Sequence, residues 1–366
     1  MKFVFVSYNY SADINTPEAW INRINFYVGS LECLSKTNTV IRVDQINYEG
    51  DFIHNGVQYF CVKSTKKKNY FPRKLNRFVR SLAPDVVVVS SFLFPLQVIQ
   101  LRLCLGKKIK VIVQHHAEKP YLGIKKLIQR QASRFIDAYI FASYEIGADW
   151  VKRGNLINEK KIHEIVGGTS VFYPIEKNIA KRKTGAEALV VFLWAGRFNA
   201  NKDPLTVVKA FLKFAAIQPG VKLYMIYQTT ELLNEVKALI AESKDGKDSI
   251  ALVGPVQHSE VLYWLNSADF LVSGSHYEGS GTVLCEAMSC GCMPVVTDIP
   301  SFRSITDNGE CGLLYSPGNE DELFSLLMKT MIMNLDDMQN RILEHFKNEL
   351  SFEAIARKIN KVAADL

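Results

Sequence analysis

The stretch ADFLVSGSHYEGSGTVLCEAMSCGCMPVVT, residues 268–297, decides the fold. It begins with ADFLVSGS (268–275) and ends with CMPVVT (292–297), two short apolar runs of the kind that buried parallel strands require. Between them the pattern predicts a helix over 281–290. The turn that enters this helix carries Glu278, Gly279, Ser280 and Gly281. Two glycines beside a helix start let a ligand come close to outward-pointing backbone N–H groups. The helix dipole adds about half a positive charge at that point. A diphosphate suits such a turn. Glu278 lies in the turn and Glu286 further along, on the helix, so both can face one extended ligand. Carboxylates accept hydrogen bonds from sugar hydroxyls, and two of them suggest two sugar-like rings flanking a phosphate pair. The motif taken alone also fits a plain strand–turn–helix with surface glutamates.

The same rhythm extends in both directions. Strands are predicted over 2–7, 39–46, 58–63, 85–90, 110–114 and 137–143, then over 188–196, 221–228 and 249–254. Helices are predicted from Thr16-Pro17, over 71–83, 92–105, 121–135 and 145–153, then over 204–217, 230–243, 258–266 and 320–332. Strands alternating with helices imply an α/β protein of two doubly wound, mainly parallel domains. A length of 366 residues fits two domains. Residues 171–187, with Pro174, a basic run and Gly185, break the periodicity and place the join. The expected division is 1–170, 171–350 and a final helix, 351–366, returning to the first domain. Ligands of open α/β sheets bind beyond the C-terminal strand ends, so two such domains would hold theirs in a cleft.

Hydrophobic residues make up 48% and charged residues 22%, which excludes a disordered or collagen-like chain. The net charge of +7 is uneven: residues 1–170 hold 25 basic and 13 acidic side chains, residues 171–366 hold 19 and 24. The basic half suits an anionic partner: a membrane face, a phosphorylated acceptor or nucleic acid. Residues 63–80 concentrate it, with Lys63, Lys66, Lys67, Lys68, Arg73, Lys74, Arg77 and Arg80, interleaved aromatics and no acid. Docking on anionic lipid headgroups is the functional reading and a solvated basic face the plain one. No recognition-module motif accompanies the charge, so nucleic acid is not expected. Seven cysteines without a CxxC pair suit reduced thiols in a reducing compartment. The N-terminus is too short in apolar residues for a signal-peptide core, and the window 85–105 falls short of a spanning helix. A cytoplasmic protein able to rest at the inner membrane face is expected.

Read residue by residue, the segment Glu278, Gly279, Gly281, Glu286, Ala287, Met288, Gly291, Pro294, Val295, Val296 resembles the signature of the retaining glycosyltransferases of family 4, the glycosyl transferases group 1. The resemblance is strong over 188–330, weaker over 110–175 and faint before 105. It implies the GT-B fold, with two Rossmann-like domains facing across a cleft. It also implies a retaining transfer of sugar from a nucleotide-diphosphate sugar to a hydroxyl of a glycan or lipid-linked acceptor. No cofactor is implied, since the nucleotide sugar is a substrate, and no metal, since no Asp-x-Asp motif is present. By the same resemblance Glu278 touches the donor sugar, Glu286 holds the ribose, and Gly279, Ser280, Gly281, Thr282 and Val283 contribute backbone.

WAGRFNANKDP (194–204) places Gly196, Arg197 and Lys202 on one loop after a strand. Two fixed cations there can stabilise the charge that a leaving diphosphate gains. The family shares this spacing. KVIVQHHAEKP (110–120) ends a strand with two histidines. The family's sugar-facing histidine corresponds to His116, with His115 the fallback, and a packed or capping histidine is the structural alternative. In VGGTSVFYP (166–174), Thr169 and Ser170 could line the cleft, and in LVGPVQ (252–257) Gly254 and Val256 match the place where the base sits. One departure stands out: the first loop, 9–23, lacks the family's glycine pair, leaving Asn15, Glu18 or Trp20 in that space. A same-fold hydrolase or epimerase and a non-catalytic basic binding protein remain as alternatives.

Overall fold

The computed structural model describes residues 1–63, 70–243 and 246–366, with backbone only at 247. Lys66, Lys67 and Lys68 of the basic stretch lie outside the described residues. The chain forms two compact units, Met1–Thr169 with Ser351–Leu366, and Ser170–Leu350.

The first unit is built on eight strands: β1 (Lys2–Ser11), β2 (Thr39–Ile46), β3 (Gly50–His54), β4 (Val57–Val62), β5 (Val86–Ser90), β6 (Lys110–Gln114), β7 (Ala138–Phe141) and β8 (Ile162–Glu164). Their order is β3-β4-β2-β1-β5-β6-β7-β8. All pairs are parallel except β3–β4. The β-branched runs predicted from sequence fill the interior: Val87, Val89, Val111 and Val113 pack with Leu75, Leu101 and Trp150 from the covering helices. The other sheet face is covered by the helix Asn25–Ser35, on which the final helix, Phe352–Ala364, packs.

The second unit holds β9 (Val190–Gly196), β10 (Val221–Tyr227), β11 (Ile250–Gly254), β12 (Phe270–Ser273), β13 (Met293–Thr297) and β14 (Leu313–Tyr315). The order β11-β10-β9-β12-β13-β14 is parallel throughout. The chain winds outward from β9 in one direction and from β12 in the other. The loops leaving β9 and β12 therefore part at a topological switch point, where open sheets take their ligands.

The structure adds β8, β14 and a helix, Pro300–Ile305, to the elements read from sequence, and it differs from that reading elsewhere. Residues 50–62 are a hairpin rather than one strand, turned by Asn55 and Gly56 at φ 46° and 84°. Residues 171–187 contain a helix, Lys177–Thr184, ended by Gly185 in the left-handed conformation and tied to Asp269 by a Lys177 ion pair. Between 331 and 350 stand a helix, Leu335–His345, and a π turn, Phe346–Leu350. The seven cysteines are unpaired, and burial pushes the Cys285 and Cys290 thiols up to about 12, so they behave as apolar fillers. Among the described residues no helix is long and apolar enough to cross a membrane.

Candidate active site

In the second unit, strand β9 hands the chain to a loop that is fixed at several points. Phe198 is fully buried and stacks on Tyr227 with ring centroids 4.3 Å apart. Asn199 Oδ1 accepts from the Lys202 amide at 3.0 Å. Asp203, at φ 40°, caps the helix Pro204–Ile217 by accepting from the Thr206 amide at 3.2 Å and its hydroxyl at 2.7 Å. The loop is also sewn to the turn after β12. The His276 amide donates to Asn201 O at 2.8 Å, and Asn201 Nδ2 donates to Tyr277 O at 3.0 Å. The two loops can lie this close because residue 274 is glycine: a Cβ there would stand 2.7 Å from Asp203 O and 3.2 Å from Lys202 O.

This stitching brings Lys202 and Glu278 into a direct, half-buried ion pair. Gly196 lies beneath, where a Cβ would be 3.6 Å from Lys202 Cδ. Arg197 projects from the same loop with an exposed side chain that has no partner among the described residues. Just beyond Glu278 and the buried Gly279, Gly281 takes φ 56° and ψ 38° and starts the helix Thr282–Ser289. Glycine suits the position, since the left-handed φ strains other residues and a Cβ would meet Ile305 Cδ1 at 2.6 Å. No side chain caps this helix, so the amides of Thr282 and Val283 are available to a ligand. Ser280 Oγ lies 3.5 Å from Thr282 Oγ1 at the same end.

Glu286 is buried one turn in and is held by His258, whose Nε2 donates to Oε1 at 2.6 Å. The imidazole ring lies against Phe172, with centroids 5.0 Å apart. The Ser289 hydroxyl donates to Glu286 O at 2.8 Å and lies 2.8 Å from Ser170 Oγ. His258 was not singled out from sequence. Its signal was its position, next after LVGPVQ at a helix start. The hydrogen bond to Glu286 raises the His258 pKa above its ordinary value, with burial opposing and the carboxylate charge assisting. Because the folded value is raised, the pair stabilises fully below about pH 6.5 and its contribution fades as pH climbs through the folded value. Imidazole NMR titration is expected to show this elevation in the wild type and its loss in Glu286→Gln. An unchanged titration in the variant would remove Glu286 as the cause.

Two predicted site residues stand differently. Gly254 ends β11 at φ 88° and is buried, with no atom beyond its chain neighbours within 4 Å of where a Cβ would stand. Val256, beyond the end of β11, lines a hollow of about 370 Å³ with Lys183, Thr184, Tyr263 and Trp264. No described contact joins it to Lys202 or Glu278.

In the first unit, the two histidines after β6 separate clearly. His115 is buried, stacks on Phe141 at 4.8 Å, and its Nε2 donates to Glu118 O at 2.9 Å. His116 is exposed at the strand end, edge-on to Tyr27 with centroids 6.4 Å apart. Its loop is clamped by the Glu118 carboxylate, which accepts from the His116 amide at 2.7 Å and the Phe92 amide at 2.5 Å. The His116 ring is accessible, yet protein on its flanks disfavours the charged form. Its pKa is accordingly lowered, Glu118 opposing and Arg42 reinforcing the shift. The glycine-free first loop is closed by Trp20, whose Nε1 donates to Asp44 at 2.7 Å. Asp44 also binds Arg42 Nε at 2.7 Å, and the guanidinium lies over the Tyr27 ring at 5.5 Å. Among the described residues no three His, Cys, Asp or Glu side chains gather as a metal site.

With this geometry in hand, comparison with known proteins is informative. Residues 176–349 match the family model described as glycosyl transferases group 1. The N-acetylgalactosamine-N,N'-diacetylbacillosaminyl-diphospho-undecaprenol 4-alpha-N-acetylgalactosaminyltransferase of Campylobacter jejuni is 23% identical over 316 residues, covering 82% of this chain and 80% of that one. Among solved structures, a glycosyltransferase of Rickettsia africae aligns with a TM-score of 0.74 at 14% identity, over 100% of this chain and 98% of that one. Anabaena HepE, solved in complex with UDP, aligns at 0.70 and 12% identity over 100% of both chains. These structural likenesses establish the fold, which is GT-B: two parallel-sheet α/β units. The likeness to the glycosyl transferases group 1 runs through residues 176–349, within the second unit.

Proposed function

We propose that this chain is a retaining family 4 glycosyltransferase that moves a hexose or similar sugar from a nucleotide-diphosphate sugar to a hydroxyl of a lipid-linked or glycan acceptor, in the synthesis of a cell-surface glycan. The observation that carries the reading is the meeting of Lys202 and Glu278 beside the uncapped, glycine-started helix that also bears Glu286. Lys202, Arg197 and the Thr282 and Val283 amides take the diphosphate, with Gly196, Gly279, Ser280 and Gly281 admitting it closely. Glu286, fixed through one oxygen by His258, offers the other to the ribose. Gly254 and Val256 meet the base. Glu278 accepts from a sugar hydroxyl, and His116, the accessible one of the histidine pair, orients the sugar.

As the bond from the anomeric carbon to the phosphate oxygen breaks, negative charge grows on the departing diphosphate, where fixed cations stabilise it. The acceptor oxygen bonds to the anomeric carbon on the same face, and its proton passes to the departing phosphate. The product keeps the donor's anomeric configuration. Lys202, Arg197 and the helix end supply the positive charge, so the transfer needs no metal ion and no cofactor. The Campylobacter jejuni relative, whose name specifies a diphospho-undecaprenol acceptor, supports a lipid-linked acceptor and hence a cytoplasmic enzyme working at the inner membrane face.

A melting-temperature screen across nucleoside diphosphates and their sugars tests the donor site. One nucleotide is expected to stabilise the protein by about 2.7 kcal/mol at a hundred times its Kd. Transfer to an acceptor is then expected to persist in EDTA and to yield an α-linked product from an α-linked donor, read by NMR. Sugar release without any acceptor would make the chain a hydrolase, and no stabilisation by any nucleotide would end the reading.

A further inference from the structure

The first unit carries a surface that the transfer chemistry does not use. Three of its segments, residues 70–81, 93–110 and 119–136, hold thirteen Lys and Arg and no Asp or Glu. The segments meet in space. A cavity of about 390 Å³ is lined from all three, by Tyr70, Leu93, Leu96, Tyr121 and Ile128, with Lys125 at its edge. A neighbouring hollow of about 320 Å³ joins Phe71, Arg73 and Arg77 to Leu103. The walls are pinned by polar contacts: Gln100 Nε2 donates to Tyr70 O at 3.1 Å, Tyr121 Oη to Leu93 O at 3.0 Å, and Asn155 Nδ2 to Tyr121 O at 2.8 Å.

Around these hollows large apolar side chains stand in water. Leu122 is 79% exposed, Ile124 76%, Leu127 59%, Leu103 72%, Phe71 68% and Tyr70 65%. On the helix Gly123–Ala132, Gln129 and Ala132 face the core, while Ile124 and Leu127 are exposed beside Lys125, Arg130 and Gln131, so large aliphatic side chains share the outer face with cations. Lys125 has its Nζ 5.4 Å from the Tyr121 ring centroid. Aliphatic groups set among cations match the boundary of an anionic bilayer, where acyl chains meet phosphates. The rings of Tyr70 and Phe71 could stack on a base, but Leu103, Leu122, Ile124 and Leu127 are aliphatic, and an acyl layer takes such side chains where a base does not. A second copy of the chain would set like charge against like charge.

We propose that this face docks on an anionic phospholipid bilayer, with Leu122, Ile124 and Leu127 entering the edge of the acyl layer and Lys125 meeting headgroup phosphates. This deepens the membrane part of the reading above and moves the contact from residues 63–80 alone onto 93–103 and 121–128.

The test is sedimentation of the full chain with vesicles of phosphatidylcholine alone or mixed with phosphatidylglycerol. Binding is expected only with phosphatidylglycerol and is expected to fall with added salt. The triple variant Leu122→Ser, Ile124→Ser, Leu127→Ser is expected to weaken it about tenfold or more, and Lys125→Glu to weaken it further. The substituted positions are exposed, and melting temperatures of the variants check their folding. The nucleotide-induced melting shift is expected to be unchanged in them. Vesicle binding that is absent, equal with neutral lipid, or indifferent to the triple substitution overturns the proposal while a retained nucleotide shift leaves the transferase standing. A short RNA that binds wild type and triple variant alike, and strips the protein from vesicles, overturns it in favour of nucleic acid. Vesicle binding as expected without any nucleotide shift supports the docking and ends the transferase reading instead.

Discussion

Lys202→Ala is expected to lower kcat about a hundredfold or more, with a much smaller change in nucleotide affinity. The Lys202 ammonium is held by Glu278, and its backbone amide by Asn199, before any donor arrives, so little ordering remains to be done when the donor binds. A preorganised cation aimed at growing charge contributes about 3 kcal/mol to the transition state, and about 1.4 kcal/mol corresponds to each factor of ten. Lys202→Arg keeps the charge but changes its shape and reach, so only part of the rate is expected back. Glu278→Ala separates the two duties of the pair. It removes the sugar contact and frees Lys202, so kcat should fall while the cation remains. Steady-state kinetics on the three variants decide the matter, and full activity in both alanine variants would dismantle the assigned site.

Gly274→Ala is expected to do comparable damage from a residue that touches no substrate. The added methyl would lie 2.7 Å from Asp203 O and 3.2 Å from Lys202 O. Both neighbours are backbone, and Asp203 already sits at φ 40°, held by its hydrogen bonds to Thr206. The loop has to retreat, carrying Lys202 with it. A displacement near 1 Å at a catalytic group costs about a hundredfold in rate, and overpacking costs about 1–3 kcal/mol in stability. Paired kinetics and melting curves separate the two effects. Lost stability with kcat intact would show that the loop's position is not what Lys202 depends on.

The C-terminal half-site was legible because its parts are local in sequence. A buried strand, a glycine turn and a helix follow one another between 268 and 290, and the loop 196–203 is similarly continuous. Local order cannot reveal that these two loops are stitched by Asn201, His276 and Gly274, because those contacts join residues more than seventy positions apart. His258 escaped for the same reason: its partner Glu286 is on another helix. Val256 stands two residues beyond the end of β11 and lines a hollow with Lys183 and Trp264, a neighbourhood that spacing does not encode. The hairpin β3–β4 was a missed signal rather than an absent one, since Asn55-Gly56 is a strong two-residue hairpin turn. The helix Lys177–Thr184 left little trace: Ala180 is its only buried residue, so it has no apolar stripe to read. In the first unit, the parallel strands were plain from their valines, whereas the ring of Trp20, Arg42, Asp44 and Tyr27 that closes the glycine-free loop joins a helix to a strand through polar groups.

The final helix carries a consequence for how the chain is made. Gly29 leaves a socket that the Phe352 ring fills, at 2.5 Å from where a methyl would be, and Asn38 Nδ2 donates to Asn360 at 3.1 Å. The unit that emerges first from the ribosome is thus missing its own lid until the other has been translated in full. Cutting the gene at the boundary near residue 170 would strand an open apolar groove, whereas a fusion that carries residues 351–366 back to the first unit respects its true outline.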